Sequence, residues 1–194
     1  MRIPFVPKNV EISQDRYDFI KEYRGGGFML IAGAVFWLLA FILTYALPKV
    51  AVVEFYIWGG LLIPIIGVAL FKVMKMSAKP NQYSSLVTFS SGVVVVCIPV
   101  LLLVKELNVD MLLPVICIIN AAHFLILCWV HLDYLYFILV ILGVSLGCLF
   151  IYTLPSSQVH YLALIWGLIS LITGGITHYS TQQPLKGYDF SIKG

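Results

Sequence analysis

Charge is what this sequence has least of. Only 11% of its residues are Asp, Glu, Lys or Arg, against about a quarter in ordinary soluble domains. A soluble chain of this size must still cover its core with a polar shell, so the shortage excludes a soluble globular fold. The formal net charge of +3 is too small to point to nucleic acid, and no such partner is expected. Cysteine spacing of the metal or redox kind is missing too. Cys97, Cys117, Cys128 and Cys148 stand singly within apolar runs, with no CxxC pair and no Cys/His ligand set. They read as small apolar side chains. Cys97, Cys117 and Cys148 would lie at similar depth, but spacing alone does not establish a disulfide among them. HExxH, a P-loop, a glycine-rich dinucleotide loop and a Ser/His/Asp arrangement are all absent from the chain. No catalytic residue, metal ligand or cofactor is therefore assigned. No acidic or basic side chain lies near the middle of an apolar run, which disfavours a pump built on an intramembrane carboxylate. Nor do two runs carry histidines at matched depth, as a haem site would need.

What is abundant is hydrocarbon. The chain is 61% hydrophobic, with a mean hydropathy of +0.99. It divides into six runs, at about Gly25–Leu47, Val52–Val73, Tyr83–Val104, Met111–Val130, Tyr134–Tyr152 and Tyr161–Thr177. At 1.5 Å per residue each can cross a hydrocarbon layer of about 30 Å, the last only just. The predicted fold is all-α, a polytopic transmembrane bundle of six spans. Residues 1–24 form an N-terminal segment, 25–178 the transmembrane domain and 179–194 a C-terminal tail, leaving no room for a separate soluble domain. The first run follows Glu11, Asp15, Asp18 and Glu22 and is too long for a signal-peptide core, so it reads as a retained helix. The turn His131-Leu132-Asp133 is so short that the fourth and fifth spans must be antiparallel neighbours.

Orientation follows from the cations. Ten of the 12 Lys and Arg residues fall on the side of the two termini; only Lys49 and Lys105 fall opposite. With loops this short, the positive-inside rule places both ends in the cytoplasm and the protein in the cell (cytoplasmic) membrane, with the lipid bilayer as its partner. Tyr and Trp residues such as Tyr45, Trp58, Trp129 and Tyr152 mark the interfacial ends of the runs, whereas Trp37 and Trp166 belong between helices. Around Val10–Arg24 the pattern allows a helix along the membrane surface, with Ile12, Phe19, Ile20 and Tyr23 on one side and Arg16, Lys21 and Arg24 available to lipid phosphates.

Few polar residues lie deep enough to matter. Asn120 and His123 are three apart on one helix face, about 14 and 18 Å along their span from Met111. Groups of this kind are costly in lipid and should face the bundle interior or a wet cavity, where neutral histidine can donate and accept a proton or hold a ligand. Pro64, preceded by Gly59-Gly60, predicts a kink in the second span that opens backbone carbonyls to a cavity; Pro99 and Pro114 lie near span ends. Glu54 and Trp58, at the outer edge of that span, complete the candidate ligand-binding set of His123, Asn120, Glu54, Trp58 and Pro64. His131, Asp133 and His178 lie at the terminal-side rim, where solvation is cheap, and His160 has no apparent partner. Gly143 and Gly147 form a small-xxx-small face suited to helix packing or a homo-oligomer, as do Thr88/Gly92 and Ser170/Gly174. A weak repeat links Leu47-Pro48 with Ile57-Trp58-Gly59 and Leu154-Pro155 with Ile165-Trp166-Gly167.

The segments Phe55-Tyr56-Ile57-Trp58-Gly59-Gly60-Leu61-Leu62-Ile63-Pro64 and Asn120-Ala121-Ala122-His123-Phe124, the latter ahead of Trp129, resemble a family of uncharacterised bacterial six-helix membrane proteins. The resemblance implies the six-helix fold and draws the eye to Pro64 and His123, but brings no activity. Three functions stay open: a small-molecule binding or transport module using the kinked span and the Asn120–His123 face; a non-catalytic oligomeric sensor, partner subunit or membrane-perturbing effector; and an intramembrane lipid-modifying enzyme with His123 as base, for which no nucleophile is evident.

Overall fold

The computed structural model describes residues 3–76, 81–179 and 189–193. Arg2, Lys79 and Lys186, which enter the charge count, lie outside these residues. Among the described residues, six helical segments are long and apolar enough to cross a membrane: Arg24–Ala46, Lys49–Val73, Gln82–Leu107, Val109–His131, Tyr134–Tyr152 and Ser156–Tyr179. They carry the helices α2 (Gly27–Ala46), α3 (Lys49–Trp58), α4 (Leu62–Val73), α5 (Gln82–Val96), α6 (Ile98–Leu107), α7 (Leu112–His131), α8 (Tyr134–Tyr152) and α9 (Tyr161–Tyr179). Ahead of them stand a strand β1 (Asn9–Ser13) and a helix α1 (Gln14–Glu22), and a strand β2 (Asp189–Lys193) follows. The protein is a multi-pass, all-α membrane bundle.

Two spans are interrupted. The second tightens into a 3-10 turn at Gly59–Leu61 before resuming at Leu62. The break thus precedes Pro64 by a turn, as expected when a proline cannot donate to the carbonyl four residues back. The third span breaks at Cys97, and Pro99 sits in the first turn of α6, where a missing donor costs little. This corrects the expectation that Pro99 lies near a span end.

The spans form a ring in the order second, first, sixth, fifth, fourth, third. Close backbone approach makes two of its seams tight. Arg24, Gly25 and Gly26 take left-handed φ angles of 45°, 62° and 78°, turning the chain so that Gly27 meets the sixth span. A Cβ on Gly27 would stand 2.5 Å from the His178 amide nitrogen and 2.6 Å from the Gly174 carbonyl. Between the fourth and fifth spans, Gly143 would place a Cβ 2.5 Å from that of Ala121, and Gly147 one 2.4 Å from Ile118. Gly143 and Gly147 are buried within the chain, where their face packs against the fourth span. Trp166 is fully buried beside Gly143 while Trp58 is 45% exposed; the two Ile-Trp-Gly segments do different work, which weakens the repeat.

The two ends of the chain meet. β1 pairs in parallel with β2, Asn9 opposite Asp189 through Ser13 opposite Lys193, and Lys8 bridges to Asp189 at 2.9 Å. α1, capped by Ser13, buries Arg16, Phe19 and Ile20 against the bundle end rather than lying free on a lipid surface. Asn81, which caps α5, donates to the Asp15 carbonyl, and the Ser13 and Tyr83 hydroxyls are 3.2 Å apart.

Candidate functional site

A cavity of about 140 Å³ lies among the first four spans, with Ser170 of the sixth and Tyr136 of the fifth at its back. Its walls are mainly aliphatic and aromatic, and among the described residues no Asp, Glu, Lys or Arg lines it. Leu61 and Pro64 on the second span and Val95 on the third line it yet remain exposed. Its mouth therefore faces sideways, between two helices (α4 and α5) that hardly touch. The Gly59–Leu61 break contributes: Gly60 lines the wall, and neither it nor Gly33 has any atom within 4 Å of the place a Cβ would take.

Asn120 and His123 both line this cavity, and their hydrogen bonds fix what each presents. Trp166 Nε1 lies 3.1 Å from Asn120 Oδ1; indole nitrogen only donates, so the amide oxygen is occupied and Nδ2 keeps its two donors. His123 Nδ1 lies 2.6 Å from the Asn120 carbonyl. That oxygen only accepts, so Nδ1 carries the proton and Nε2 is left an acceptor, with no partner among the described residues. The Ser91 hydroxyl, also on the wall, donates to the Val87 carbonyl.

The five sequence candidates separate. Pro64 joins Asn120 and His123 at the cavity. Glu54 and Trp58 do not: Glu54 accepts from Lys105 Nζ at 2.6 Å and from Trp58 Nε1 at 3.1 Å, tying the second span to the third at the end away from the termini. Tyr56, Ser91, Tyr136 and Ser170 line the cavity although none was a ligand-binding candidate, Ser170 having been read only as part of a packing face; tyrosines and serines inside apolar runs carry no local mark that separates wall from packing. His160, expected to lack a partner, meets the Tyr45 hydroxyl at 3.1 Å.

A second polar group lies at the terminal end of the bundle. His131, Asp133, Thr177 and His178 are 0–2% exposed, which corrects the reading of His131, Asp133 and His178 as rim residues in contact with water. The N-terminal layer covers them. Arg16 reaches from α1 to donate to the Val130 carbonyl at 3.2 Å and to that of Trp129, and its guanidinium lies 4.2 Å from the Trp129 ring centre. Arg16 thus caps the end of α7 and is not free for lipid phosphates. His131 stacks between Phe19 and Tyr136, and the Tyr136 hydroxyl donates to the Gly25 carbonyl at 2.7 Å. Asp133 Oδ1 accepts from the Leu135 amide at the start of α8. Arg24 Nη1 lies 3.3 Å from His178 Nε2.

Among the described residues, four buried side-chain atoms lack a hydrogen-bond partner: His131 Nδ1, Asp133 Oδ2, Thr177 Oγ1 and His178 Nδ1. All four belong to this group. The Thr177 hydroxyl is near enough to stabilise the Asp133 carboxylate without reaching hydrogen-bonding geometry. Burial pushes the Asp133 carboxyl up to about 6, against the pull of the Leu135 amide and the Thr177 hydroxyl. The group can hold a proton or an ordered water; no three His, Cys, Asp or Glu side chains among the described residues converge as metal ligands.

Both sites fall within residues 12–180, which match the model of a family of unknown function (DUF7010). The chain belongs to that family. No curated protein and no solved structure matches it.

Proposed function

We propose that the protein is a membrane binding or transport module for a small, neutral, weakly polar molecule held in the cavity among its first four spans. One observation carries the reading: the broken second span and the Asn120–His123 face, far apart in sequence, line a single cavity whose mouth faces sideways. An apolar wall with a few convergent polar groups is the usual make-up of a small-molecule site. Among the described residues the walls carry no Asp, Glu, Lys or Arg, so a permanent ion would go unmatched there. A volume of about 140 Å³ is close to that of an engineered cavity, about 150 Å³, that admits benzene. The ligand's body is therefore of that size, and any longer chain extends through the mouth. Catalysis is the weaker reading, because Ser91 commits its proton to the Val87 carbonyl and is not paired with His123. The concentration of Lys and Arg at the terminal end supports placing that end in the cytoplasm.

Gly33 supplies the test, since its Cβ direction is open space on the cavity wall. Fluorobenzene binding to the protein in nanodiscs, followed by ¹⁹F NMR, is expected to saturate. Gly33→Leu should abolish the saturable component while leaving thermal stability unchanged or raised. Binding that survives in the filled variant would sink the proposal.

A further inference from the structure

The hydrogen-bond inventory of the cavity selects among neutral ligands. Trp166 donates to the Asn120 oxygen, and the two Nδ2 donors have no partner among the described residues. Three residues on, His123 keeps a free acceptor at Nε2 because its Nδ1–H is spent on the Asn120 carbonyl. Both lie on one face of α7 and line the same cavity. Amide donors beside a lone acceptor are answered by a group that both accepts and donates.

We infer that the ligand is an alcohol: its hydroxyl donates to His123 Nε2 and accepts from Asn120 Nδ2, with its hydrocarbon body in the cavity and any remaining chain toward lipid. The inference rests on the cavity being a ligand site, as proposed above, and adds the class of molecule. An ether, ketone or quinone can accept from Asn120 but leaves Nε2 bare, and an unsatisfied buried polar group is the costly case. A carboxylic acid could match both groups only while protonated, and among the described residues no Lys or Arg lines the cavity to hold its anion. An amine meets the same objection with the opposite sign, because it arrives as a cation. Trp166 holds the arrangement in place: fully buried and packed beside Gly143, it fixes the Asn120 amide in the orientation that presents Nδ2.

The test compares three probes of similar size on the full-length protein in nanodiscs, again by ¹⁹F NMR with correction for lipid partitioning. They are 4-fluorobenzyl alcohol, its methyl ether and fluorobenzene. The alcohol is expected to bind at least about fivefold more tightly than the ether, the ratio that follows from leaving one buried acceptor unsatisfied. In His123→Phe the two should bind alike, because the acceptor that separates them is gone. The wild-type comparison decides the matter even if that variant does not fold. Saturable fluorobenzene binding with no preference for alcohol over ether overturns the alcohol assignment and leaves the cavity reading standing. No saturable binding of any probe overturns both.

Discussion

The Asp133 carboxylate accepts from the Leu135 amide through one oxygen, and the other is buried with no hydrogen-bond partner among the described residues. Burial raises its folded-state pKa from 3.8 to about 6, so the folded protein holds this proton more tightly than the unfolded chain does. The stability it contributes is full below about pH 3.8 and is lost as pH rises through about 6. At about 1.4 kcal/mol per pKa unit the loss is of the order of 3 kcal/mol at most. Asp133→Asn keeps the capping oxygen and gains an amide that can donate toward Thr177. It should unfold at a higher temperature than wild type at pH 7.5 and lose the wild-type decline between pH 4.5 and 7. An unchanged pH slope in the variant would place the origin of the decline elsewhere. At this scale the sequence was readable where depth alone was decisive. Asn120 and His123 stand mid-span, and physics allows them only an interior position. Asp133 and His178 gave no such signal, because a residue at a span end is cheap to solvate unless another part of the chain covers it.

That covering is made by elements the local pattern could not place. A parallel pair between residues 9–13 and 189–193 joins the two ends of the chain, and no periodicity within either segment encodes the other. The helical pattern of α1 was legible in Phe19 and Ile20, yet the partner of its apolar face was not. Arg16 is the fastening. Arg16→Gln removes charge-assisted bonds to the end carbonyls of α7 and the stacking on Trp129. The expected result is about tenfold faster tryptic cleavage at Lys21 and Arg24, the loss of one or two kcal/mol of local closure. Within α2, two glycines provide an internal control on packing. Gly27→Ala drives a Cβ into backbone of the sixth span, where nothing flexible can yield, and should cost about 1–3 kcal/mol or more. Gly33→Ala points into open space and should be neutral or slightly stabilising, since alanine favours the helix by up to about 1 kcal/mol. Equal loss of stability in the two would contradict the close crossing of the first and sixth spans.

In the whole bundle, tight and loose seams divide the ring. The first and sixth spans interlock through Gly27 and Gly174, and the fourth and fifth through Gly143 and Gly147. The third is the outlier: only 11% of its most apolar window is buried, and Ser90 and Leu101 are its buried residues. It meets the second span chiefly through the Lys105–Glu54 pair, which is partly exposed, screened by water and therefore a weak tie. A cavity that admits a molecule from lipid needs one seam able to open, and this is the seam where the mouth lies. Glu54→Gln weakens that tie without touching the cavity wall. Spin labels at Leu61→Cys and Val95→Cys, with Cys97, Cys117, Cys128 and Cys148 replaced by alanine, report the width of the mouth by pulsed EPR. Labels at Val35→Cys and Leu171→Cys report the interlocked first and sixth spans. Glu54→Gln should broaden and lengthen the first distance distribution and leave the second as it was. Saturating 4-fluorobenzyl alcohol should narrow the first again, because a ligand bridging the Asn120–His123 face and the third span favours the closed ring. If both label pairs broaden together, the bundle loosens as a whole and the mouth is not a separate moving part; if neither changes, the Lys105–Glu54 pair does not hold it shut.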